Sequence, residues 1–514
     1  MTRNRLWIAV AIAALVFVGL LAALMLGFVA DDDVTPRARD TPVSVSPTGN
    51  DSSCSRSGSP CATFERAYAI AQPGDTIGVE AGAYAPGGLP IDPVKSAEGA
   101  APITVTPLCS TPNCVTVKGG LFVPSSNVRL VGNGNGRQTG SSNFLIYKLH
   151  IYARSEDRSL WADNVFASGL HTLTFFISAA TNVTFRDSEV GPFLACYGRN
   201  EPRRSVDGPD TICPDDPPYY PYAATGSRDG GFEPKVGPDG ERRDSIPRNI
   251  TLDGLYFHDI NSSNIKNGDH AEGSASHNGC LFLVSIDGFV LRNSIFRSCV
   301  VYDIQIQDFT TVECCGQVFG PVRNFTFENN WFGQPVKAVG QTGTVVEDGC
   351  NVTFSCKTNV ASDGQAALQF GKRNVPPPEF KTHYWQDGLL RFNSFQGSLT
   401  WNGADQITFR NVRVIGNAGP PIATPNVNCI EPGLVYRFNV TNGGATCDPT
   451  GSSSRANPGF VDNTIPGMDL HVAAGSPVLG FVTATRGDYE LTKDFDGKAR
   501  TAPRNAGSSG TTPG

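Results

Sequence analysis

NFTFENNWF, residues 324–332, is a short run of alternating β-formers, then a polar pair, then an aromatic residue. The phrase returns as NVTFRDSEV (182–190), NITLDGLYF (249–257), FVLRNSIF (289–296), LLRFNSF (389–395) and QITFRNVRV (406–414). Aligned on it, Phe257, Phe296, Phe332, Phe395 and Val414 share one position and lie 39, 36, 63 and 19 residues apart. These intervals read as one, two or three turns of a coil of about 20 residues, at the short end of solenoid periods. The polar position holds Ser188, Ser294, Asn330 and Asn393, which can hydrogen-bond from coil to coil as asparagine ladders do.

A second strand type follows the first: CLFLVS (280–285), VVYDIQIQD (300–308), AALQFG (366–371) and SLTWNG (398–403). In YDIQIQD a period of two puts Tyr302, Ile304 and Ile306 on one face and Asp303, Gln305 and Gln307 on the other. The apolar set fills a coil interior, and the polar set, with Gln369 and Thr400, stands outside as a stripe.

Composition agrees. With 56 Gly and only 17% charged residues in 514, short strands joined by many turns are favoured over helices. The net charge is −7 and no basic stripe carries interleaved aromatics, so nucleic acid is not the expected partner. An uncharged apolar run of 25 residues, Leu6 to Ala30, follows Arg3 and Arg5 and ends at Asp31, Asp32 and Asp33. It exceeds a signal-peptide core of about 7–15 residues and reaches the roughly 20 that span a bilayer. The expectation is an uncleaved transmembrane signal anchor over 1–30 and a linker over 31–42, with the remainder outside the cell membrane. A cleaved signal and secretion is the alternative. Fourteen cysteines suit an oxidising compartment. Local bridges are expected for Cys54 with Cys61, Cys109 with Cys114, Cys196 with Cys213, Cys350 with Cys356 and Cys429 with Cys447. Cys280, Cys299, Cys314 and Cys315 stay unassigned. CxxC pairs are absent, which favours structural disulfides over a metal site.

The segment VSVSPTGNDSSCSRSGSPCATFERAYAIAQPGDTIGVEAGAYAP (43–86) resembles the opening of right-handed parallel β-helix proteins of the pectate-lyase-like superfamily. PGFVD, DLHVAAGSPVLG and DFDGKAR, from residue 458 to 500, resemble their closing segment. The resemblance implies an all-β right-handed parallel β-helix over 43–505, with ATFERAYAIA as an N-terminal capping helix over the first coil. It places a long loop insertion at 196–249, a C-terminal cap at 455–505 and a disordered tail at 506–514. Asn182, Asn249, Asn324, Asn351 and Asn439 head glycosylation sequons in form, but in such a coil they read as turn asparagines. DFDGKAR lacks the other ligands of a calcium loop and reads as a cap turn.

Members of the superfamily bind polysaccharides along an outer strand face and include lyases, hydrolases, epimerases and non-catalytic surface proteins. On that resemblance Gln305, Gln307 and Gln369 are candidate substrate-binding residues. In the insertion, Tyr197, Tyr219, Tyr220 and Tyr222 could stack on sugar rings, and Arg203 and Arg204 could meet uronate carboxylates. A disordered proline-rich excursion is the other reading. NGDHAEGSASHNGC (267–280) leads into CLFLVS and offers His277 as a base near Asp303 of the next coil, with Asp269 and Glu272 as a cation site, calcium being the candidate ion. Some relatives carry His-x-Asp-Cys or His-x-Asp-Gly here, whereas this chain has His-Asn-Gly-Cys. A lyase needs a base and a positive charge beside the uronate carboxyl; a hydrolase needs two carboxyls about 5–9.5 Å apart. The sets NTD…DD…GHG…RIK, WIDH, RxxPxxR and DPHD, which mark polygalacturonases, pectate lyases and epimerases, are absent. The expected function is a membrane-anchored extracellular β-helix that binds an acidic polysaccharide and cleaves or modifies it as a lyase or glycoside hydrolase. The alternative is a non-catalytic adhesin or structural glycan-binding β-helix.

Overall fold

A computed structural model describes residues 41–508 apart from 153–159, 198–222, 227–246, 265–278, 309–321, 338–341, 356–359, 362–365, 373–382, 402–406, 421–431 and shorter stretches of one to three residues. In several strands only the backbone is described. Among the described residues no helix is long and apolar enough to cross a membrane; Leu6 to Ala30 lies outside them.

Twelve strands form the first ladder in unbroken chain order, from Val43–Val45 through Ala180–Arg186, Arg248–Asp253, Asp287–Arg292, Val322–Glu328, His383–Arg391 and Ile407–Ile415 to Leu434–Arg437. All the pairings are parallel, as in Phe289↔Phe325 and Thr326↔Leu389. Parallel neighbours that follow one another in sequence require the chain to travel round and return between them, which is a coil. The return path supplies two more ladders, fused in the long strands Phe144–Tyr152 and His171–Ser178. Beyond these they separate. The second continues through Glu189–Val190, Tyr256–His258, Ile295–Arg297, Trp331–Phe332 and Ser394–Phe395. The third continues through Ala223–Gly226, Gly279–Val284, Tyr302–Asp308, Ala366–Lys372 and Ser398–Trp401.

The recurring phrase spans the corner between the first two ladders. Its aromatic position is a stack inside the coil, Phe257 on Phe296 at 4.5 Å, Phe296 on Phe332 at 5.3 Å and Phe332 on Phe395 at 4.8 Å, with all four rings buried. Val414 does not belong to it. It lies in the first ladder, opposite Leu390 and Tyr436, and the residue on the rung after Ser394 is Ala418. The slip arises at Asn411, whose φ of 55° repeats the left-handed kink that Asn182, Asn249 and Asn324 make early in their own strands. These three were read as turn asparagines, and their side chains bridge coils: Asn182 donates to Asp163, Asn249 to Asn182 and Asn324 to Asp287.

The buried polar ladder forms from Ser294 onward and runs further than expected, whereas Ser188 is cut off from it by Leu255 and accepts from the Leu170 amide. Asn393 Oδ1 accepts from the Asn330 backbone and side-chain amides at 3.0 and 2.9 Å; Asn417 accepts likewise from Asn393, and Asn439 from Asn417. Upstream, Asn330 accepts from the Ser294 amide and Ser294 Oγ from the Leu255 amide. Each of these side chains is buried, and each Nδ2 also donates to a backbone carbonyl, so no polar atom in the ladder is wasted. Asn439, one of the sequon residues, is among them.

At the N-terminal end helix Phe64–Ile70 packs Phe64, Ala67 and Tyr68 into the core, with Thr63 capping the Arg66 amide. Gly74, at φ 88°, turns the chain back, while Asp75 accepts from the Gln72 amide and pairs with Arg56 at 2.7 Å. The expected bridges Cys54–Cys61 and Cys109–Cys114 are present, and Cys280 pairs with Cys299. The pairings expected for Cys196, Cys350 and Cys429 involve side chains outside the described residues.

The C-terminal segment does more than cap the last coil. It folds back along the second ladder: Val472, Val478, Val482 and Ala506 pack on Phe392, Ala418 and Val440, and Met468, Leu470 and Phe495 pack on Trp331. Ser508, assigned by sequence to the tail, is buried and hydrogen-bonds Ser394 at 2.9 Å. In DFDGKAR the Asp494 carboxylate accepts from the amides of Asp496 and Lys498 and closes a turn.

Candidate functional site

The corner between the second and third ladders is where the chain departs from a plain coil. After Val190 it enters Phe193–Tyr197, and after His258 it enters Ile260–Asn264; these extra strands pair in parallel from Phe193↔Ile260 to Tyr197↔Asn264. Each excursion returns to the third ladder one coil apart, with Ala223 opposite Leu281 and Gly226 opposite Val284. The tyrosine-bearing insertion and the loop that carries His277 are therefore rooted side by side. The coil after them passes from Ile295–Arg297 to Tyr302–Asp308, so Asp303 opens the next third-ladder strand at the same corner. His277, Asp269, Glu272, Tyr219, Tyr220 and Tyr222 lie outside the described residues, and for Tyr197, Gln307 and Gln369 only the backbone is described.

Period-two alternation assigned the faces of Tyr302–Asp308 correctly, since Ile304 and Ile306 are in the core. It did not assign exposure. Asp303 is 0% exposed and Gln305 3%, so the expected open polar stripe is covered at this coil. Neither Asp303 carboxyl oxygen has a hydrogen-bond partner among the described residues. Burial pushes this carboxyl well above the usual range; the nearby Gly333 amide, which opposes the shift, is already engaged with the Phe296 carbonyl at 3.0 Å. Burial thus favours the protonated form of this carboxyl.

A second polar group at this corner was missed in the sequence. Glu189, buried on the second ladder, accepts from His258 Nε2 at 2.9 Å and from the Gly140 amide at 2.6 Å, and lies 3.7 Å from His171 Nε2. His171 also contacts the Gly191 carbonyl at 2.7 Å and Asn113 at 3.2 Å, and burial pushes its imidazole down, toward the neutral form. The signal was the rung itself: His171 pairs with Glu189, and Glu189 with Tyr256 two residues before His258. Finding it required the coil register, because the three residues are scattered over 88 positions of sequence.

Along the outer face of the third ladder one row passes through Phe122, His150, Phe176, Ala224, Phe282, Gln305, Gln369 and Thr400, one residue per coil. Its early part is aromatic, with His150 4.8 Å from Phe122 and 6.3 Å from Phe176, and Tyr152 5.9 Å from Phe176. Its later part is polar. Among the described residues one group, Asp51, Cys54 and Cys61, has metal-like proximity, but its two sulfurs are bonded to each other and are not thiolate ligands.

No family model matches the chain and no curated protein matches it. Among solved structures it is similar to pectate lyase Pel9A, at 14% identity over 91% of this chain and 96% of that one, with a TM-score of 0.41. It is also similar to a rhamnogalacturonan lyase, at 11% over 82% and 91% with 0.32, and to the A-module of the Azotobacter vinelandii mannuronan C-5 epimerase AlgE6, at 10% over 75% and 88% with 0.31. The assignment rests on the ladders and not on these likenesses: strand after strand paired in parallel round a common core makes this chain a parallel β-helix protein.

Proposed function

We infer that this chain engages an acidic polysaccharide along the outer face of its third ladder and acts on it at the corner beside Asp303. The observation that supports this reading is the rooting of two excursions on consecutive coils, against a face whose outward residues repeat every 4.7–4.9 Å or so. A polymer fits a periodic face better than it fits a single pocket, and the aromatic part of the row offers flat apolar surface for sugar rings. His277 is the candidate base, with Asp269 and Glu272 the candidate cation ligands and calcium the candidate ion; Asp303, sealed from solvent in this structure, serves as the candidate proton donor only when substrate binding uncovers it. Gln307, Gln369 and the insertion tyrosines are candidate contacts, while Gln305, on the same row, is covered and offers no contact in this structure. In the same reading residues 6–30 tether the domain to the outer face of a membrane.

The test is turnover of pectate and alginate with and without calcium. Unsaturated ends select a lyase, reducing ends without unsaturation a hydrolase, and retention on a glycan array without turnover a binding module. Asp303→Asn and His277→Ala should each abolish turnover while circular dichroism stays unchanged. Full activity in both variants would move the chemistry away from this corner.

A further inference from the structure

The C-terminal segment packs on the second ladder through apolar contacts, and the two pieces of it that flank Trp331 are joined to each other by an ionic tie that depends on a proton. His471, in strand Asp469–Val472, presents Nδ1 to Asp469 at 2.5 Å and Nε2 to Asp496 at 2.9 Å. Only an imidazolium can donate to two carboxylates at once; the neutral ring has a single N–H. The ring stands edge-on to Trp331 at 4.9 Å, and Phe495, next to Asp496, stacks on the same indole at 4.4 Å. Among the described residues the other charges facing this cluster are Arg137, 3.8 Å from Asp496 and with its guanidinium over Phe495, and Lys498, 3.9 Å from Asp496. Both cations face Asp496, so Asp469 is balanced by His471 itself.

We propose that the C-terminal segment is a proton-held strap, in which protonated His471 ties Asp469 to Asp496 across Trp331 and loss of that proton loosens residues 469–498 from the second ladder. The deprotonated ring would turn a lone pair toward one of the two carboxylates and forfeit a charge-assisted bond. The two aspartates raise the imidazole above its usual 6.5, against an opposing effect of burial, and the Asp496 carboxyl is lowered correspondingly. The sign follows: the stabilisation is complete below the unfolded imidazole value and is lost as pH rises through the folded one.

Hydrogen exchange of the full chain, corrected for the intrinsic pH dependence of exchange, reads this directly in peptides covering 469–472 and 494–498. From pH 5.5 to 8.5 their protection should fall, by about tenfold for each unit by which the folded imidazole value exceeds the unfolded one, while peptides of the first ladder stay unchanged. In His471→Gln the strap should show the low protection at every pH, and in His471→Lys, which keeps a charge throughout this range, high protection at every pH. A strap whose protection ignores pH in the wild type overturns the proposal. So does a pH response that survives in either variant.

Discussion

Replacing Asn393 by alanine tests whether the buried amide ladder holds the coils in register or merely fills space between them. The side chain is fully buried and makes four hydrogen bonds, accepting from the Asn330 backbone and side-chain amides and donating to the Phe327 carbonyl and to Asn417 Oδ1, each at 2.9–3.0 Å. Each is worth about 0.5–1.5 kcal/mol net, and a buried donor left orphaned, as the Asn330 backbone N–H would be, costs about 1–3 kcal/mol. The expected loss is about 4 kcal/mol, measured as a lowered guanidinium chloride midpoint with an unchanged slope, together with lost exchange protection at the Asn330 amide. Asn393→Asp keeps the volume but places an acceptor where Nδ2 donated to two other acceptors, so it should be no more stable than the alanine variant. Asn324→Gly is the control: it keeps the left-handed backbone and removes one exposed bond to Asp287, and should cost no more than about 0.5 kcal/mol. If Asn393→Ala cost no more than Asn324→Gly, or if Asn393→Asp were as stable as the wild type, the ladder would be packing and not hydrogen bonding.

Phe296 is an inner ring of the aromatic stack, against Phe257 on one side and Phe332 on the other, so Phe296→Ala should cost about 3–5 kcal/mol in the same unfolding experiment; a loss below about 1 kcal/mol would show that the neighbouring rings close the gap. Burial raises the Asp303 carboxyl in the folded chain above its ordinary 3.8, so its contribution is present below 3.8 and is lost as pH rises through the folded value. Asp303→Asn should therefore raise the unfolding midpoint at pH 7 relative to the wild type and leave it nearly unchanged at pH 3, and equal midpoints at both pH values would refute a buried neutral acid.

Much of the coil was legible because its inside is written locally. The alternation around Ile304 and Ile306, the Ser and Asn of the polar rung and the phenylalanines behind them lie within a few residues of one another, and each obeys a period the chain cannot evade. What failed were properties that depend on neighbours distant in sequence. Val414 fell out of place because Asn411 repeats the left-handed kink of Asn182, Asn249 and Asn324, and the rung asparagine stands further on, at Asn417. Asp303 and Gln305 were placed on the right face but thought solvated, since alternation tells which way a side chain points and not what lies over it. Glu189 gained two histidine neighbours only through the stacking of coils, and the fold-back of the C-terminal segment onto Trp331 left no periodic trace.

The amide ladder keeps count in coils and is indifferent to residues. Its successive members stand 36, 63, 24 and 22 positions apart in the chain, yet the backbone amide of each donates to the side-chain oxygen of the next. Chain length inserted at a corner is thus mechanically uncoupled from the axial stacking. Such a scaffold can lengthen, shorten or exchange its surface loops over evolutionary time without renegotiating its core, provided that every change leaves a whole number of turns. Variation is confined to the corners, where new chemistry can be tried at little risk to the fold.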